Sequence, residues 1–470
     1  MRSFYLLISL LFASNVIFSN NEEVKSPNFI FILADDQGWN GTSVRMNDTI
    51  PNSASDYYET PNLEKLAKKG MKFSNAYGSA PVCAPSRYSI QFGQTPARLQ
   101  MIRVGMNTNH IDHNSSNTLV KQIKKTNSTY KAAHFGKWGM DSDPKTLGYD
   151  VSDGPTKNKD GYFDYDSREL QWGNTISEDP KKIFNITEKA IDFIENNVQQ
   201  NSPFYLQLSH YAIHSNLMMR QNTYDKYSKK GKGKIHDNIG LAAMTEDLDF
   251  SIGLIVEKLK ELGIENNTYI IYSSDNGSVP IIVPRRYYKQ SYNYPLSRGK
   301  WDAMEGGIRV PMIISGPNIE PNSYSDTNIS FSDLLPTIID IIASKKIKNK
   351  SLDGGSFKNV LFGKSKKVKR ADEGVIVNAP YANGIALKRA HSAIIQNNYK
   401  LIKFYDNNEI QLFDLNQDIY ENNNISDKKN EISKKLERAL DTYLSDVKAP
   451  KWQPGITWKY NTLKKINSFH

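Results

Sequence analysis

The chain has 470 residues, of which 39% are hydrophobic and 11% aromatic. This is enough for one large domain with a smaller one, and it excludes a disordered protein. Lys and Arg (60) exceed Asp and Glu (50), giving a formal net charge of +10. Most of this excess is expected to be solvated lysine, but a basic surface also favours a polyanionic substrate by steering. Nucleic acid is disfavoured as that partner, because the sequence contains no nucleic-acid-binding motif.

The first residues have the pattern of a signal peptide. Arg2 supplies the positive end, and an apolar run follows over residues 4–13. We therefore predict a signal peptide over 1–20 and a periplasmic or secreted protein. The run is too short to span a bilayer, and no later segment has 18 uninterrupted apolar residues, so we expect no stable membrane insertion. Exported proteins usually pair their cysteines, but Cys83 is the only cysteine, and its first interpretation is a buried free thiol.

Short apolar runs alternate with helical patterns along the next part of the chain. This alternation predicts an α/β fold with a mostly parallel central sheet flanked by helices. The runs resemble buried parallel strands, over residues 28–34, 129–135, 204–208, 269–273 and 310–315. Helices are predicted over residues 62–69, 180–197 and 239–262, and the last shows a period close to 3.6.

The composition changes after about residue 345. A lysine-rich stretch leads to short alternating runs and then to a charged helix, over residues 392–395, 399–404, 410–415 and 430–446. We therefore predict a large domain over 21–365 and a smaller C-terminal subdomain over 366–470. The subdomain is expected to contain an antiparallel sheet and a terminal helix.

Polar residues follow the predicted strands at the points where each strand ends: Asp35, Asp36, Lys137, His210, His214, Asp275 and Asn276. The carboxyl ends of parallel strands meet at one edge of a sheet, where ligands bind. The aspartates and Asn276 would form an oxygen cage suited to a hard divalent cation. Two other interpretations are a zinc site, using His110, His113, His210 and His214, and plain helix caps or loops for the acidic pairs.

The sharpest motif is Cys83-Ala84-Pro85-Ser86-Arg87. It resembles the Cys-x-Pro-Ser-Arg signature of the formylglycine sulfatases, within the alkaline-phosphatase-like superfamily. Other segments agree with that family in the same order, and the resemblance covers roughly residues 27–445. These segments are 34–38 (ADDQG), 136–138 (GKW), 274–277 (SDNG), 299–300 (GK), 305–311 (EGGIRVP), 399–402 (YKLI) and 412–415 (LFDL).

The resemblance implies a chemistry and a set of roles. Cys83 would be oxidised to formylglycine by a formylglycine-generating or anaerobic sulfatase-maturating enzyme, and the hydrated aldehyde would attack sulfur. Asp35, Asp36, Asp275, Asn276 and the modified Cys83 match the calcium ligands, with magnesium left open as the native ion. Arg87, Lys137 and Lys300 match the groups that hold the formylglycine and neutralise sulfate oxygens. His214 matches the histidine near the leaving oxygen and is the candidate general acid.

The sequence departs from the family at one position. The family usually continues Gly-Lys-Trp-His, whereas this chain has Gly139 in place of the histidine. The missing role is open among His210, His134 and a water molecule, although His134 is more simply interpreted as a packed strand residue. Weaker candidates for substrate binding are His210, His113, Arg285 and Arg286.

Together these features predict an exported, calcium-dependent sulfatase that acts on sulfated carbohydrate, such as an algal oligosaccharide of the ulvan type. The nearest alternative is a phosphonate monoester or phosphodiester hydrolase with the same machinery. A second alternative is an inactive homologue that binds sulfated glycans, which the absence of a histidine at Gly139 would favour.

Overall fold

The computed structural model describes residues 26–163, 171–282, 291–343, 351–382 and 389–452. The predicted signal peptide lies outside the described residues, as do Arg285 and Arg286. The α-helices are α1 (Pro61–Lys69), α2 (Cys83–Phe92), α3 (Leu119–Thr126), α4 (Ile183–Gln199), α5 (Gln221–Lys229), α6 (Ile239–Glu261), α7 (Glu305–Ile308), α8 (Leu334–Ala343), α9 (Lys358–Leu361) and α10 (Asn430–Asp446). In the part of the chain that these ranges cover, no helix combines the length and the apolar character that crossing a bilayer requires.

The strands form one large sheet, one small sheet and two short two-stranded ladders. They are β1 (Asn28–Ala34), β2 (Gly70–Phe73), β3 (Ala76–Tyr77), β4 (Lys131–Gly136), β5 (Val151–Ser152), β6 (Thr175–Ile176), β7 (Phe204–Ser209), β8 (Met218–Met219), β9 (Thr268–Ser274), β10 (Met312–Ser315), β11 (Ser323–Ser325), β12 (Ile329–Ser330), β13 (Val375–Ala379), β14 (His391–Gln396), β15 (Tyr399–Phe404) and β16 (Ile410–Asp414).

The large sheet has eight strands in the order β11-β2-β10-β9-β1-β7-β4-β5. The central strand β1 pairs in parallel with β9 on one side and β7 on the other. Its side chains are buried on both faces, as a continuous apolar run predicts. Phe29, Phe31 and Leu33 pack on one face with α2, α3 and α8, whereas Ile30 and Ile32 pack on the other with α1, α4 and α6. The predicted α/β fold with helices on both faces is confirmed.

The predicted direction of one strand is wrong. Residues 310–315 were expected to form a parallel strand, but β10 runs antiparallel to both β9 and β2. Gly277, shortly after β9, and Gly307, shortly before β10, meet at the carboxyl edge of the sheet, where Gly277 N donates to Gly307 O at 3.0 Å. Strand β10 therefore enters the sheet from the edge at which β9 leaves it, so it must run back. The apolar pattern of a buried strand is the same whichever way the strand runs, so the pattern does not indicate the strand's direction.

The small sheet is antiparallel, in the order β13-β14-β15-β16. The predicted sheet and terminal helix are confirmed, and β13 adds a strand that the sequence pattern did not indicate. One face packs against α10 through Leu436 and Leu440. The other packs against the large domain around Met304 and Ile308. The domain boundary at 365/366 stays a prediction, and it lies between α9 and β13.

A buried ion-pair network joins the small sheet to the loop that precedes β10. Lys400 Nζ lies 2.9 Å from Glu305 Oε1 and 2.8 Å from Glu421 Oε1, and all three side chains are fully buried. Glu305 also pairs with Arg309 at 2.5 Å. Moving one member out of such a network would leave an uncompensated buried charge, which is costly. Because Glu305 belongs to the network and follows Lys300 closely in the chain, the network fixes the loop that contains Lys300 in one position.

Candidate active site

The Cys83 motif builds the first turn of α2. Cys83 is the first residue of the helix, and Pro85 fits there because the first turn needs no backbone donor at that position. Ser86 holds the preceding loop against the helix, because its Oγ accepts from Ala80 N at 3.1 Å and donates to Ala80 O at 3.0 Å. Arg87 comes four residues after Cys83 and therefore lies on the same face of the helix. Each residue type in the motif thus has a structural reason for its place.

Arg87 connects the helix to the strands of the central sheet. It donates to Asp275 Oδ2 from Nε at 3.0 Å and from Nη2 at 2.7 Å, and it also bonds Lys137 O. Lys137, just after β4, places its ammonium 2.5 Å from Asp35 Oδ2. Residues after β1, β4 and β9 therefore meet at the carboxyl edge of the sheet, as predicted.

Asp36 forms a second layer of contacts in the same place. Its Oδ2 lies 2.6 Å from Lys300 Nζ and 3.6 Å from His214 Nε2. Its Oδ1 accepts from Asn276 Nδ2 at 2.8 Å, and its backbone N donates to Asp275 Oδ1 at 3.2 Å. The structure thus brings together Lys300 and His214 with both acidic pairs.

The donor set fits a hard divalent cation. Asp35, Cys83 and Asp275 each offer one ligand atom, and these atoms lie within 4.8 Å of one another. Asp35 Oδ1 and Asn276 Oδ1 are buried, and in the part of the chain that the structure describes neither has a hydrogen-bond partner. Buried oxygens are rarely left unpaired in native proteins, so these two are the expected signature of a bound cation. Because the available ligands are carboxylate and amide oxygens, the set suits calcium or magnesium better than zinc.

The site also contains three buried cations: Arg87, Lys137 and Lys300. Burial acts to lower the pKa of Lys137, but Asp35 together with the other acidic groups around it leaves that pKa above its usual value. The same competition, with Asp36 as the partner, raises the pKa of Lys300. Both lysines therefore stay charged at neutral pH. Burial raises the pKa of the Cys83 thiol in spite of these lysines, so the unmodified side chain is a poor nucleophile.

The backbone at Gly139 explains the departure from the family. Gly139 has a φ of +72°, and a Cβ added there would lie 2.9 Å from Arg87 Cδ. A histidine would therefore be strained and would displace Arg87. Neighbouring Gly136 has a φ of +93°, and its Cβ would lie 2.1 Å from Ser209 O. Both glycines belong to the turn that directs Lys137 toward Asp35.

The two alternative histidines are both fully buried. His134 packs edge-on against Trp138, with ring centroids 4.7 Å apart, and its Nε2 lies 3.0 Å from Ser209 Oγ. Burial lowers the pKa of His134 to about 3, and it does the same for His210. Both rings are therefore neutral at physiological pH. Among the described residues, neither ring forms a hydrogen bond to the acidic pairs or the three cations.

Of the weaker candidates, His113 contacts two residues of α2, Tyr88 and Phe92. Its Nε2 is 3.0 Å from Tyr88 OH, and its ring packs against Phe92. The exposed His110 bonds Leu99 O at 3.0 Å. Their contact with substrate, like that of Arg285 and Arg286 outside the described residues, stays a prediction.

Sequence reasoning missed two residues that border the site. The Phe163 ring meets the His214 ring edge-on, with centroids 4.7 Å apart. Lys181 is buried and donates to Gly161 O at 2.9 Å. It lies close enough to Asp35 and Lys137 for their charges to affect its pKa. Burial lowers the pKa of Lys181 to about 7. No sequence signal separates this lysine from the many solvated ones.

Two family models match the chain. Residues 27–344 match the model described as Sulfatase, and residues 300–448 match the model described as N-sulphoglucosamine sulphohydrolase, C-terminal. The first match covers more than half of the chain, including both acidic pairs, Cys83 and Lys300.

Curated relatives have related descriptions. A protein of Formosa agariphila described as a sulfatase is 27% identical, over 95% of this chain and 93% of its own length. The N-acetylgalactosamine-6-sulfatase of Mus musculus is 27% identical, over 70% of this chain and 65% of its own. An ulvan-active sulfatase of Formosa agariphila is 25% identical, over 68% of this chain and 62% of its own. The chain spans a little less than two thirds of the last two.

Solved structures share the fold. Ps i-CgsB in complex with k-i-k-neocarrahexaose superposes with a TM-score of 0.72 at 24% identity, covering 91% of this chain and 94% of that one. The phosphonate monoester hydrolase of Agrobacterium radiobacter superposes less closely, with a TM-score of 0.62 at 16% identity, covering 90% and 95%. With the matched family model spanning the whole of the described site, the chain belongs to the sulfatase family, and it is a sulfuric ester hydrolase.

Proposed function

We propose that this protein is an exported sulfatase that removes sulfate from a sulfated carbohydrate, with an algal oligosaccharide of the ulvan type as the leading candidate. The observation that carries the proposal is the position of Cys83, at the start of a buried helix, among two aspartates and three fixed cations. The apolar N-terminal run supports export, and the positive net charge supports an anionic polymer as substrate. The ulvan-active relative supports the choice of sugar.

Two groups complete the proposed site. Formylglycine, made from Cys83 by a separate maturation enzyme, would supply the hydrated aldehyde whose hydroxyl is the nucleophile at sulfur. Calcium, held by Asp35, Asp36, Asp275, Asn276 and the modified Cys83, would supply positive charge that lowers the pKa of that nucleophile.

The chain's own residues then have distinct tasks. Lys137 and Lys300, fixed by Asp35 and Asp36, present ammonium groups to the sulfate oxygens and stabilise the charge that develops on them. Because both lysines are already held in place, they need little reorganisation during the reaction. Arg87 is held by Asp275, and it thereby connects the start of helix α2, where Cys83 lies, to the end of strand β9.

We propose that His214 exchanges a proton with the leaving oxygen. Its Nδ1 lies 2.7 Å from Ser215 O, a carbonyl that can only accept, so Nδ1 carries a hydrogen. Nε2 is therefore the atom that gains and loses the proton, and it faces Asp36. Burial, reinforced by Lys300, lowers the pKa of His214 to about 4, while Asp36 and Asp35 act in the opposite direction. We propose that the negative charge of the bound ester favours the protonated ring, which then acts as general acid.

Replacing His214 should therefore slow poor leaving groups selectively. In His214→Ala, kcat on a sugar sulfate should fall by about 10² to 10⁴-fold, the usual contribution of general acid catalysis. An activated aryl sulfate should lose far less, because its leaving group needs no proton. His214→Gln keeps an amide donor in the pocket but transfers no proton, so it should show the same selective loss. Equal losses on both substrates, measured by steady-state kinetics, would remove His214 from this role.

No observation favours either alternative function. The phosphonate monoester hydrolase shares the fold at 16% identity, which says nothing about the substrate. Gly139 removes one histidine, but Cys83, Arg87, both lysines and the acidic pairs are in place, so an inactive glycan-binding protein has little support.

The test is sulfate release by protein matured with its modifying enzyme. The panel contains defined oligosaccharides from ulvan, carrageenan and glycosaminoglycans, an aryl sulfate and an aryl phosphodiester. We expect sulfate release from at least one oligosaccharide and a lower kcat/KM on the phosphodiester than on the aryl sulfate. A faster phosphodiester reaction would favour the hydrolase alternative. Glycan binding without any sulfate release would favour the inactive homologue.

A further inference from the structure

Three side chains outside the proposed catalytic set belong to the side of the site formed by the loop of Lys300 and the small sheet. They are Trp301, beside Lys300; Tyr381, just beyond the end of β13; and Arg103, in the loop that follows α2. They come from distant parts of the sequence, and two of them belong to segments with no recognised motif.

On this side, Trp301 lies next to Lys300, which is proposed to bind the sulfate group. Lys300 Nζ lies 5.4 Å from the centroid of the Trp301 ring, and Trp301 N donates to Pro81 O at 2.8 Å, two residues before Cys83. Trp301 has a φ of +77°, which a bulky residue rarely adopts. Its side chain is only partly buried. An aromatic ring held rigidly at the rim of a sugar site offers an apolar face to a sugar ring.

Tyr381 continues the same side from the small sheet. Ala303 N donates to His391 Nε2 at 2.9 Å, and His391 pairs with Ala379 in the sheet. Tyr381 N donates to Ala379 O at 2.8 Å, which places the tyrosine beside the loop of Trp301. Burial raises the pKa of Tyr381 to about 12, and Cys83 and Lys300 are close enough to influence it.

Arg103 supplies a cation on this side of the pocket. Its guanidinium carbon lies 5.2 Å from the centroid of the Tyr381 ring, and the side chain is partly exposed. Within the described ranges, no carboxylate lies within ion-pairing distance of Arg103, whereas Arg87 and Arg309 are both paired with acids. A guanidinium stacked on an aromatic ring keeps its edge available for two parallel hydrogen bonds to an oxyanion.

We propose that Trp301, Tyr381 and Arg103 form a subsite for an anionic sugar unit next to the sulfate ester. Trp301 packs against a sugar ring, and Arg103, oriented by Tyr381, binds a second oxyanion on the substrate, either a carboxylate or a sulfate. This inference rests on the proposed function, since it places the substrate's ester at Cys83. It makes the enzyme selective for sugars that carry two acidic groups.

The test measures binding in the full-length chain with Cys83→Ala, which binds without turnover. The two probes are an ulvan oligosaccharide, which carries carboxylates and sulfates, and a κ-carrageenan oligosaccharide, which carries sulfates alone. Calorimetric Kd values are compared for Arg103→Met, Trp301→Leu and the charge-matched control Arg45→Met. Arg45 is an exposed arginine whose carbonyl accepts from Lys72 of strand β2.

Arg103→Met should weaken the binding of at least one probe by about tenfold or more, as expected for the loss of a charge-assisted pair. Trp301→Leu should weaken binding as well, and Arg45→Met should have little effect. An effect on ulvan alone assigns the oxyanion as a carboxylate, and an effect on carrageenan assigns it as a sulfate. Kd values for Arg103→Met equal to those of the control, or no binding of either probe, would overturn the subsite. Sulfate release by the unsubstituted enzyme is measured separately, so failure of the subsite is distinguishable from failure of the proposed function.

Discussion

Cys83→Ala should abolish multiple turnover while leaving the fold intact. Removal of a catalytic nucleophile costs roughly 10⁴ to 10⁶-fold in kcat. The substitution deletes one buried sulfur atom at the start of α2 and disturbs none of the hydrogen bonds made by Ser86 and Arg87. Sulfate release over time is the measurement, with thermal unfolding as the check on the fold.

Cys83→Ser is the matched variant, because it keeps a side chain of similar size with one hydroxyl. A single hydroxyl can attack sulfur, but it cannot expel sulfate by re-forming an aldehyde. We therefore expect this variant to stop after one turnover with sulfate attached to residue 83, which intact-protein mass measurement would detect. Multiple turnover by either variant at a rate near that of the unsubstituted enzyme would contradict the proposed mechanism.

Removal of the divalent cation should inactivate the enzyme reversibly and lower the stability of its folded state. Asp35, Asp36 and Asp275 are buried together, and within the described ranges Asp35 Oδ1 and Asn276 Oδ1 accept no hydrogen bond. A cation present at 100 times its Kd would stabilise the folded state by about 2.7 kcal/mol. Chelation should therefore lower Tm and abolish activity, and added calcium should restore both. Magnesium is tested in parallel to identify the native ion.

Substitution of Asp35 tests the metal assignment by changing a proposed ligand instead of removing the ion. Asp35→Asn should reduce the amount of metal bound per chain, measured by elemental analysis, and should reduce kcat to a similar extent. The control is Asp141→Asn, which removes an exposed carboxylate that bonds Thr108 and Lys157. Full activity in excess chelator, or unchanged metal content in Asp35→Asn, would refute the metal assignment.

Much of the fold and of the central site could be predicted from sequence, because both follow from simple rules. A run of apolar residues such as 28–34 must be buried on both faces, and the polar residues after it must lie at the carboxyl edge of the sheet. Asp35, Lys137 and Asp275 meet there for that reason. The Cys83 motif could be interpreted because its proline, serine and arginine positions match a helix start.

Other features depend on contacts that no local pattern contains. The direction of β10 is set by the return of its loop to the edge of the sheet, and the exclusion of a side chain at Gly139 is set by Arg87. Nothing in the sequence around Lys181 distinguishes it from a solvated lysine, but its side chain is buried and donates to Gly161 O. Trp301 lies near Cys83 because its backbone N donates to Pro81 O, and Arg103 contacts Tyr381, which follows β13; both contacts join residues far apart in the sequence.

The proposed mechanism requires formylglycine at residue 83 in the active enzyme. Mass spectrometry of the peptide that contains this residue, from native protein with measured sulfatase activity, tests this directly. We expect a residue in which one oxygen has replaced the sulfur and two hydrogens of cysteine, with occupancy that rises in step with kcat. An intact thiol at that position in fully active enzyme would contradict it.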